Sequence, residues 1–217
     1  MTDCFGWTGK MLWVDLTSGK WEFLNTLDYV ERFVGGRGIT AKIYWDRVSA
    51  GTDALSPDNL LMLMTGPLAG TPAYAASRLV VSGKSALLSP EQCGIGNIGG
   101  GVARRMKAAG VDGMVITGRA NTPSLISVDN GSVEILDAGQ LWGQDCCRTL
   151  EALSARFGRS SEVLCIGPAG EHRVRFSLIM GTNGSCGSHG FGAVMGAKNL
   201  KAVVVRGNLK TKTAFPD

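Results

Sequence analysis

Two glycine-rich segments, each followed by a helix-like stretch, constrain the fold of this 217-residue chain more than any other feature. The first is residues 93–110, CGIGNIGGGVARRMKAAG, and the second is residues 184–201, GSCGSHGFGAVMGAKNLK. Glycine allows tight turns and close approach to the backbone, and a helix start presents unpaired N–H groups that favour anions. Each segment can therefore be interpreted as a phosphate-binding loop or as a tight turn needed only for packing.

The two segments belong to a longer order of features that occurs twice. Residues 65–119 and residues 166–207 show the same order of features: a Gly-Pro pair, a strand, the glycine-rich segment, a helix and a last strand that ends at a Gly next to an Arg. The second helix contains Lys198 and Lys201, and Arg104, Arg105 and Lys107 form a basic face of the first helix that is expected to be solvated and not part of a site. An internal repeat predicts two similar units, related here by a pseudo-twofold axis that would suit a ligand that is itself double. Chance similarity of glycine-rich loops is the alternative.

Local patterns predict more strands than helices, and therefore an α+β fold. Alternation around a Thr-Ser-Gly turn predicts a hairpin in residues 9–25, and Asn130-Gly131 predicts another in 124–136. Helices are expected at 28–34 and 37–48, and a third is expected to start at Asp145 and end at Phe157. Residues 173–180, RVRFSLIM, are expected to form a strand.

Composition excludes several classes of function. A net charge of +4 without a long Lys/Arg run argues against a nucleic-acid binder and would suit a small anion. Charged residues make up only 18% of the chain, which is typical of a subunit or domain covered by another surface. The uncharged runs 59–77 and 179–197 are interrupted by Gly, Pro, Ser or Asn, so no membrane span is expected. The cysteines show no CxxC spacing and the start shows no leader, which predicts reduced thiols in a cytoplasmic protein.

Familiar catalytic and nucleotide-binding motifs are absent. Neither GxxxxGK[ST] nor GxSxG occurs, and GIGNIGG resembles a dinucleotide fingerprint only loosely. His172 and His189 have no nucleophile at motif spacing, and His189 is the better placed of the two to contact a ligand. Arg78, at a strand start, could grip a phosphate or a flat heterocycle, or could form a surface ion pair.

Several stretches together resemble one family. GWTGKMLWVDLTSGK, FVGGRGITAKIYWD, LSPDNLLMLMTGPLAGT, SRLVVSGKSAL, GNIGG, LWGQD, IGPAGEHRVRFSLIM and GFGAVMGAKNLKAVVVRG are similar, in this order, to the N-terminal domain of tungsten-containing aldehyde ferredoxin oxidoreductases. The resemblance covers residues 6 to about 210. It implies a β-rich domain of two pseudo-twofold-related mixed sheets with short helices, at 1–210, with 211–217 as a tail or linker.

The resemblance also implies a cofactor. Family members hold tungsten, or molybdenum, between two pterins whose phosphates are bridged by magnesium. Asn97 would lie at the phosphate–magnesium position, Ser185 would be its counterpart in the second segment, and Arg78 would contact a pterin. The residues implied in cofactor binding are Arg78, Gly96, Asn97, Gly99, Ser185, Cys186 and Gly187. Many members read RAAGR where this chain reads GSCGS, so an arginine near the second pterin is missing.

The family is much longer than this chain, and its helical domains carry a 4Fe-4S cluster. The resemblance therefore implies an incomplete, inactive portion of a cytoplasmic, oligomeric enzyme that oxidises aldehydes to carboxylic acids and reduces ferredoxin. Iron–sulfur binding would belong to helical domains or a partner chain. Three alternatives remain open: a structural or assembly subunit without cofactor, part of an enzyme that reduces aromatic thioesters, and a binder of ordinary nucleotides.

Overall fold

The fold consists of two six-stranded mixed sheets. A computed structural model describes residues 5–214, so the predicted thiol of Cys4 and the end of the predicted tail, 215–217, lie outside the described residues. The strands of the first sheet are β1 (Lys10–Asp15), β2 (Lys20–Asn25), β3 (Leu61–Met64), β4 (Leu79–Lys84), β5 (Cys93–Ile98) and β6 (Gly113–Thr117). Those of the second are β7 (Ser124–Asp129), β8 (Ser132–Asp137), β9 (Glu162–Cys165), β10 (Ile179–Gly181), β11 (Cys186–Gly187) and β12 (Leu200–Arg206).

Short helices connect these strands. They are α1 (Leu27–Phe33), α2 (Gly36–Arg47), α3 (Val102–Ala108), α4 (Cys146–Phe157), α5 (Pro168–Glu171) and α6 (Phe191–Ala197), with a 3-10 turn at Gly139–Leu141. Asp145 caps α4 by accepting a hydrogen bond from the Arg148 N–H at 2.9 Å, as the sequence predicted. None of the helices in the described part of the chain is long and apolar enough to cross a membrane.

Strand order confirms the internal repeat. The first sheet has the order β2-β1-β6-β3-β4-β5, and the second has β8-β7-β12-β9-β10-β11. In each sheet the initial hairpin is antiparallel, its first strand pairs in parallel with the last strand of the unit, and the remaining neighbours are antiparallel. The repeat therefore begins at the hairpins, earlier in each half than the Gly-Pro pairs suggested.

Strand register aligns the two units residue by residue. Gly113 pairs with the second residue of β1, and Ala202 pairs with the second residue of β7. At the other edge of the first sheet, Val80 pairs with Met64 on one side and with Asn97 on the other. In the second sheet, Met180 pairs with Cys165 on one side and with Cys186 on the other. Because Met64 and Cys165 each end their strand, Asn97 and Cys186 occupy equivalent positions.

The core lies between the two sheets. Alternate residues of both sheets, among them Leu63 and Leu164, form one buried cluster with apolar residues of α3 and α6. On the outer face of the first sheet, Ile39 and Ile43 of α2 pack against Met62 and its neighbours. Leu153 of α4 packs in the same way on the outer face of the second sheet. The α+β fold with two mixed sheets is thus confirmed.

The predicted strand at 173–180 is wrong for most of its length, because β10 begins only at Ile179. Arg173 adopts a left-handed backbone (φ +57°), and the Val174 N–H donates to the Ala169 carbonyl, so the chain turns here. The segment then lies against α6, where a Cβ on Gly192 would be 2.6 Å from the Leu178 carbonyl oxygen. The segment packs closely on Gly192 instead of extending the strand, and this long-range contact cannot be read from the local sequence.

Three lysines near the ends of α3 and α6 are buried. Lys107, expected on a solvated helix face, is 1% exposed, and its ammonium pairs with Asp112. Lys201 pairs with Glu171, and both side chains are buried. Lys198 donates to the carbonyls of Pro57, Asn59 and Gly118. These lysines join segments of the fold and are not available to an external phosphate.

We predict a pH dependence of stability from Lys198. Burial lowers the pKa of Lys198 to about 7, although Asp58 and Asp15 favour the charged form. Its unfolded value is near 10.5, so between these pH values the unfolded chain binds more protons and the contribution of Lys198 to stability rises with pH. The slope should approach about 1.4 kcal/mol per pH unit at most.

The measurement is urea unfolding at pH 7.5, 8.5 and 9.5 of the wild type, Lys198→Met and Lys20→Met. Subtracting the free energies of Lys198→Met from those of the wild type removes the titrations that both proteins share. The difference should rise with pH for Lys198→Met and stay flat for Lys20→Met, since Lys20 is exposed. A flat difference for Lys198→Met would contradict the lowered pKa.

The start of the predicted tail packs against the domain. The Gly6 N–H donates to the Lys212 carbonyl at 2.8 Å, and the Leu209 N–H donates to the Ala108 carbonyl at 3.0 Å. The chain therefore stays packed against the domain at least as far as Lys212.

Candidate functional site

The edge strands of the two sheets, β5 and β11, meet. The Gly99 N–H donates to the Ser185 Oγ at 2.6 Å, which joins the residue after β5 to the residue before β11. A Cβ on Gly96 would be 3.0 Å from the Ser188 nitrogen, and one on Gly187 would be 3.1 Å from Ile98 Cδ1. We call the group Gly96, Asn97, Gly99, Ser185, Cys186 and Gly187 the sheet junction.

Alternation along β5 divides the sheet junction into a buried and an accessible face. Gly96 and Ile98 are buried, whereas Asn97 is half-buried on the opposite face of the strand. On β11, Cys186 is half-buried and Gly187 is buried. Within the two strands, the accessible positions of the sheet junction are thus the equivalent residues Asn97 and Cys186, and Gly99 and Ser185 beside the strands are also half-buried.

The expected equivalence of Asn97 with Ser185 is wrong by one residue. Gly96 pairs with Val81 on β4, and the Ser185 carbonyl accepts from the N–H of Gly181, the last residue of β10. Ser185 therefore corresponds to Gly96. The alignment of glycines alone could not detect this shift, because the loop between the paired strands is longer in the first unit than in the second.

Arg78 lies at the end of the sheet junction. It directly precedes β4, whose first residue, Leu79, pairs with Ile98. Its side chain is exposed, and within residues 5–214 neither the Arg78 guanidinium nor the Asn97 amide forms a side-chain hydrogen bond. Both groups are therefore available to a ligand at this edge.

The two helix starts are less accessible than the sequence suggested. Residues 93–98 form a strand, so two of the five glycines before α3, Gly94 and Gly96, are part of a sheet edge. A Cβ on Gly101, at the start of α3, would collide with the Glu162 carboxylate, whose pKa is raised by burial. At α6 the Gly192 N–H donates to the Ser177 carbonyl at 3.1 Å. Protein groups thus cover both starts, and the strand edges are the accessible surface.

Ser188 and His189 belong to the same region, although only His189 was singled out from sequence. The Ser188 Oγ lies 2.9 Å from His189 Nδ1, and the Ser85 Oγ donates to the His189 carbonyl at 2.8 Å. His189 adopts φ +66°, and its counterpart in the first unit, Gly100, adopts φ +81°. A histidine held at a glycine-type position is unusual. His172, by contrast, is exposed at the end of α5.

The polar side chains at and beside the sheet junction fit a phosphate-bearing group with a magnesium ion. The free guanidinium of Arg78 can donate two parallel hydrogen bonds to a phosphate. Asn97 offers an amide oxygen and Ser185 a hydroxyl, which are the oxygen ligands that magnesium accepts. Across residues 5–214, no group of three or more His, Cys, Asp or Glu side chains could hold a metal.

We predict that Ser185→Ala weakens the contact between the two sheet edges. The variant leaves the Gly99 N–H without its acceptor, and we expect a loss of about 1 kcal/mol in the free energy of unfolding. Ser132→Ala, at an exposed position of β8, should change it by less than about 0.5 kcal/mol. Urea unfolding of both variants checks the prediction, and equal stabilities would contradict it.

Comparisons with known proteins agree on one family. The family model for the aldehyde ferredoxin oxidoreductase N-terminal domain matches residues 11–207. Over 215 residues the chain is 39% identical to the tungsten-containing aldehyde ferredoxin oxidoreductase of Pyrococcus abyssi, covering 97% of this chain and 35% of that protein. It is 34% identical to the aliphatic sulfonate oxidoreductase, WOR-like subunit, of Pyrococcus furiosus, and this match covers 94% of this chain and 35% of that protein.

A solved structure shows the same fold. The active site complex BamBC of benzoyl coenzyme A reductase, in complex with 1,5-dienoyl-CoA, superposes with a TM-score of 0.92 and 38% identity. The match covers 96% of this chain and 32% of that one. The chain thus spans about a third of the length of the relatives it matches.

Proposed function

Because the chain belongs to the aldehyde ferredoxin oxidoreductase family, as its N-terminal domain, we propose that its sheet junction is the base on which a bis-pterin cofactor of tungsten or molybdenum rests. The relatives described as tungsten-containing support tungsten as the metal. The observation that carries the proposal is the meeting of two equivalent strand edges with open polar groups beside them. A cofactor with two pterins matches a site built from two equivalent edges.

Arg78 and the residues of the sheet junction each have a role in this proposal. Arg78 would donate hydrogen bonds to a pterin, and Asn97 and Ser185 would hold the phosphates and magnesium. Gly99 and Cys186 would bring the backbone close to the cofactor, while Gly96 and Gly187 let the two strand edges pack against each other. The bound metal centre supplies the redox chemistry, and this domain supplies binding, orientation and neutralisation of phosphate charge.

The substrate and partners concern the whole enzyme. We propose oxidation of an aldehyde to a carboxylic acid, with water as the oxygen source and a ferredoxin-like protein as the acceptor of two electrons. Helical domains or a partner chain would carry a 4Fe-4S cluster and the substrate channel, in a cytoplasmic oligomer. The expected result for the 217-residue chain alone is no aldehyde-dependent viologen reduction, and clear turnover would contradict this assignment.

A second candidate is reduction of an aromatic thioester. The 38% identity and TM-score of 0.92 to the benzoyl coenzyme A reductase complex favour it. The site residues and cofactor would be the same, so only the substrate distinguishes the two candidates. Assays of the assembled enzyme with a panel of aldehydes and with benzoyl-CoA separate them directly.

The test of cofactor binding is metal analysis of the assembled enzyme. The chain is co-expressed with its neighbouring reading frames, and tungsten, molybdenum, magnesium and pterin are measured in the wild type, Asn97→Asp and Asn121→Asp. We expect a cofactor in the wild type and in Asn121→Asp, since Asn121 is exposed outside the sheet junction. Asn97→Asp should fold but contain altered magnesium and less pterin, because a carboxylate repels the phosphates.

Two outcomes would overturn parts of the proposal. A complex without tungsten, molybdenum or pterin would favour a structural subunit. An unchanged cofactor content in Asn97→Asp would remove Asn97 from the site while leaving the family role intact. Thermal shifts of the chain with ordinary nucleotides test the remaining alternative, and we expect none.

A further inference from the structure

Two adjacent cysteines at the start of α4 have different environments. Cys146 is the first residue of the helix and is half-buried, while Cys147 is exposed. Cys146 packs against the cluster on the outer face of the second sheet, which includes the fully buried Cys165 of β9. A pair of thiols therefore lies between α4 and β9, with a chemically identical thiol on the solvent side as a natural comparison.

Contacts place the Cys165 sulfur beside the backbone of Cys146, and the Cys146 sulfur beside the chain that follows β9. The Cys165 Sγ lies 3.9 Å from the Cys146 carbonyl oxygen. Gly167, two residues after Cys165, leaves room for the Cys146 sulfur, since a Cβ there would be only 3.2 Å from it. Lys201 fixes the preceding turn by donating to the Gln144 carbonyl at 2.8 Å.

The surroundings divide the two thiols into an acidic and a non-acidic one. The Cys165 thiol lowers the pKa of Cys146 to about 7 through a hydrogen bond, and the Lys201 charge acts in the same direction, against burial and the carboxylates of Asp145 and Glu171. The hydrogen bond with Cys146 and burial raise the pKa of Cys165. A helix start also favours a thiolate at Cys146. This is the arrangement of an attacking thiol beside a resolving thiol.

We propose that Cys146 and Cys165 form a thiol–disulfide site that reacts with small disulfides and closes into a bond between α4 and β9. The Cys146 thiolate attacks one sulfur of the small disulfide, forms a mixed disulfide and expels a thiolate. The Cys165 sulfur then attacks the Cys146 sulfur, gives up its proton and expels the second thiolate. Two protein thiols are oxidised, and the small disulfide is reduced to two thiols, which take up the two protons.

The probe is oxidised glutathione. The 217-residue chain, with any partner that co-purifies, is reduced, freed of reductant without oxygen, incubated with the probe, alkylated and digested with trypsin. We expect mass spectrometry to find residues 120–148 joined to residues 160–173 by a disulfide. The same product should form in Cys147→Ser, which removes the exposed neighbour and leaves the buried pair unchanged.

Two further variants assign the steps. Cys146→Ser should form no joined peptide, and Cys165→Ala should stop at glutathione attached to Cys146. In Cys147→Ser, the rate of iodoacetamide alkylation at Cys146 should be half-maximal near pH 7. Cys147→Ser without the joined peptide, or Cys146→Ser with the same yield of it through Cys147, would overturn the proposal. The results for Cys147→Ser and Cys146→Ser do not depend on whether Cys165→Ala folds, or on cofactor binding at the sheet junction.

Discussion

Asp112→Ala is expected to lower the free energy of unfolding by about 3 to 5 kcal/mol, since removing one partner of a buried ion pair leaves the other charge uncompensated. Lys107 and Asp112 side chains are both inaccessible to solvent. Asp112 also accepts hydrogen bonds from the Thr8 and Gly9 N–H groups at 2.8 and 2.9 Å, and the variant leaves both donors without their acceptor. Urea unfolding measures the loss.

Two controls separate burial from charge. Asp46→Ala breaks the exposed pair with Lys42 and should cost less than about 1 kcal/mol. The double variant Lys107→Met with Asp112→Leu removes both charges and should be clearly more stable than Asp112→Ala alone. If Asp112→Ala and Asp46→Ala cost the same, the buried pair does not stabilise the fold as argued.

Local patterns predicted the elements that depend on nearby residues. The hairpin around Thr17 to Gly19, the hairpin at Asn130-Gly131 and the Asp145 cap all form as expected. In each case the turn, the cap or the alternation is complete within a few residues of sequence. The repeated order of glycines also predicted that the two segments are equivalent parts of two units.

Register and burial could not be predicted in the same way. The counterpart of Asn97 is Cys186. Only the strand pairings reveal this, because Val80 pairs with Asn97 and its equivalent, Met180, pairs with Cys186. The contact between Gly99 and Ser185 joins residues that are 86 apart in sequence. Lys107 looks like part of a solvated helix face until Gly6, Trp7 and Asp112 surround its ammonium group. Such features arise from long-range packing, on which the local sequence carries little information.

The repeat itself explains why two of these lysines are buried. Counting back from the equivalent residues Gly113 and Ala202, Asp112 corresponds to Lys201 and Lys107 corresponds to Gly196. In the first unit Lys107 reaches Asp112 from α3. In the second unit the glycine admits α5, and Glu171 at the end of α5 reaches Lys201. Each unit thus places an ion pair at the same position, with the charges reversed.

Gly196→Ala is therefore expected to destabilise the protein strongly. A Cβ at Gly196 would overlap the Gly170 carbonyl of α5 and would be 3.2 Å from Glu171 Cα. Because neither is a flexible side chain, α5 must move and carry Glu171 away from Lys201. We expect a loss of about 3 kcal/mol, at the upper end of the cost of overpacking.

The matched control is Gly51→Ala, because a Cβ there would contact nothing within 4 Å. It should change the free energy of unfolding by less than about 0.5 kcal/mol. Adding Lys201→Met to Gly196→Ala tests the link to the ion pair. If α5 has moved, Lys201 has already lost its partner, and the double variant should be less destabilised than the sum of the single changes. Additive losses would show that the glycine and the ion pair act independently.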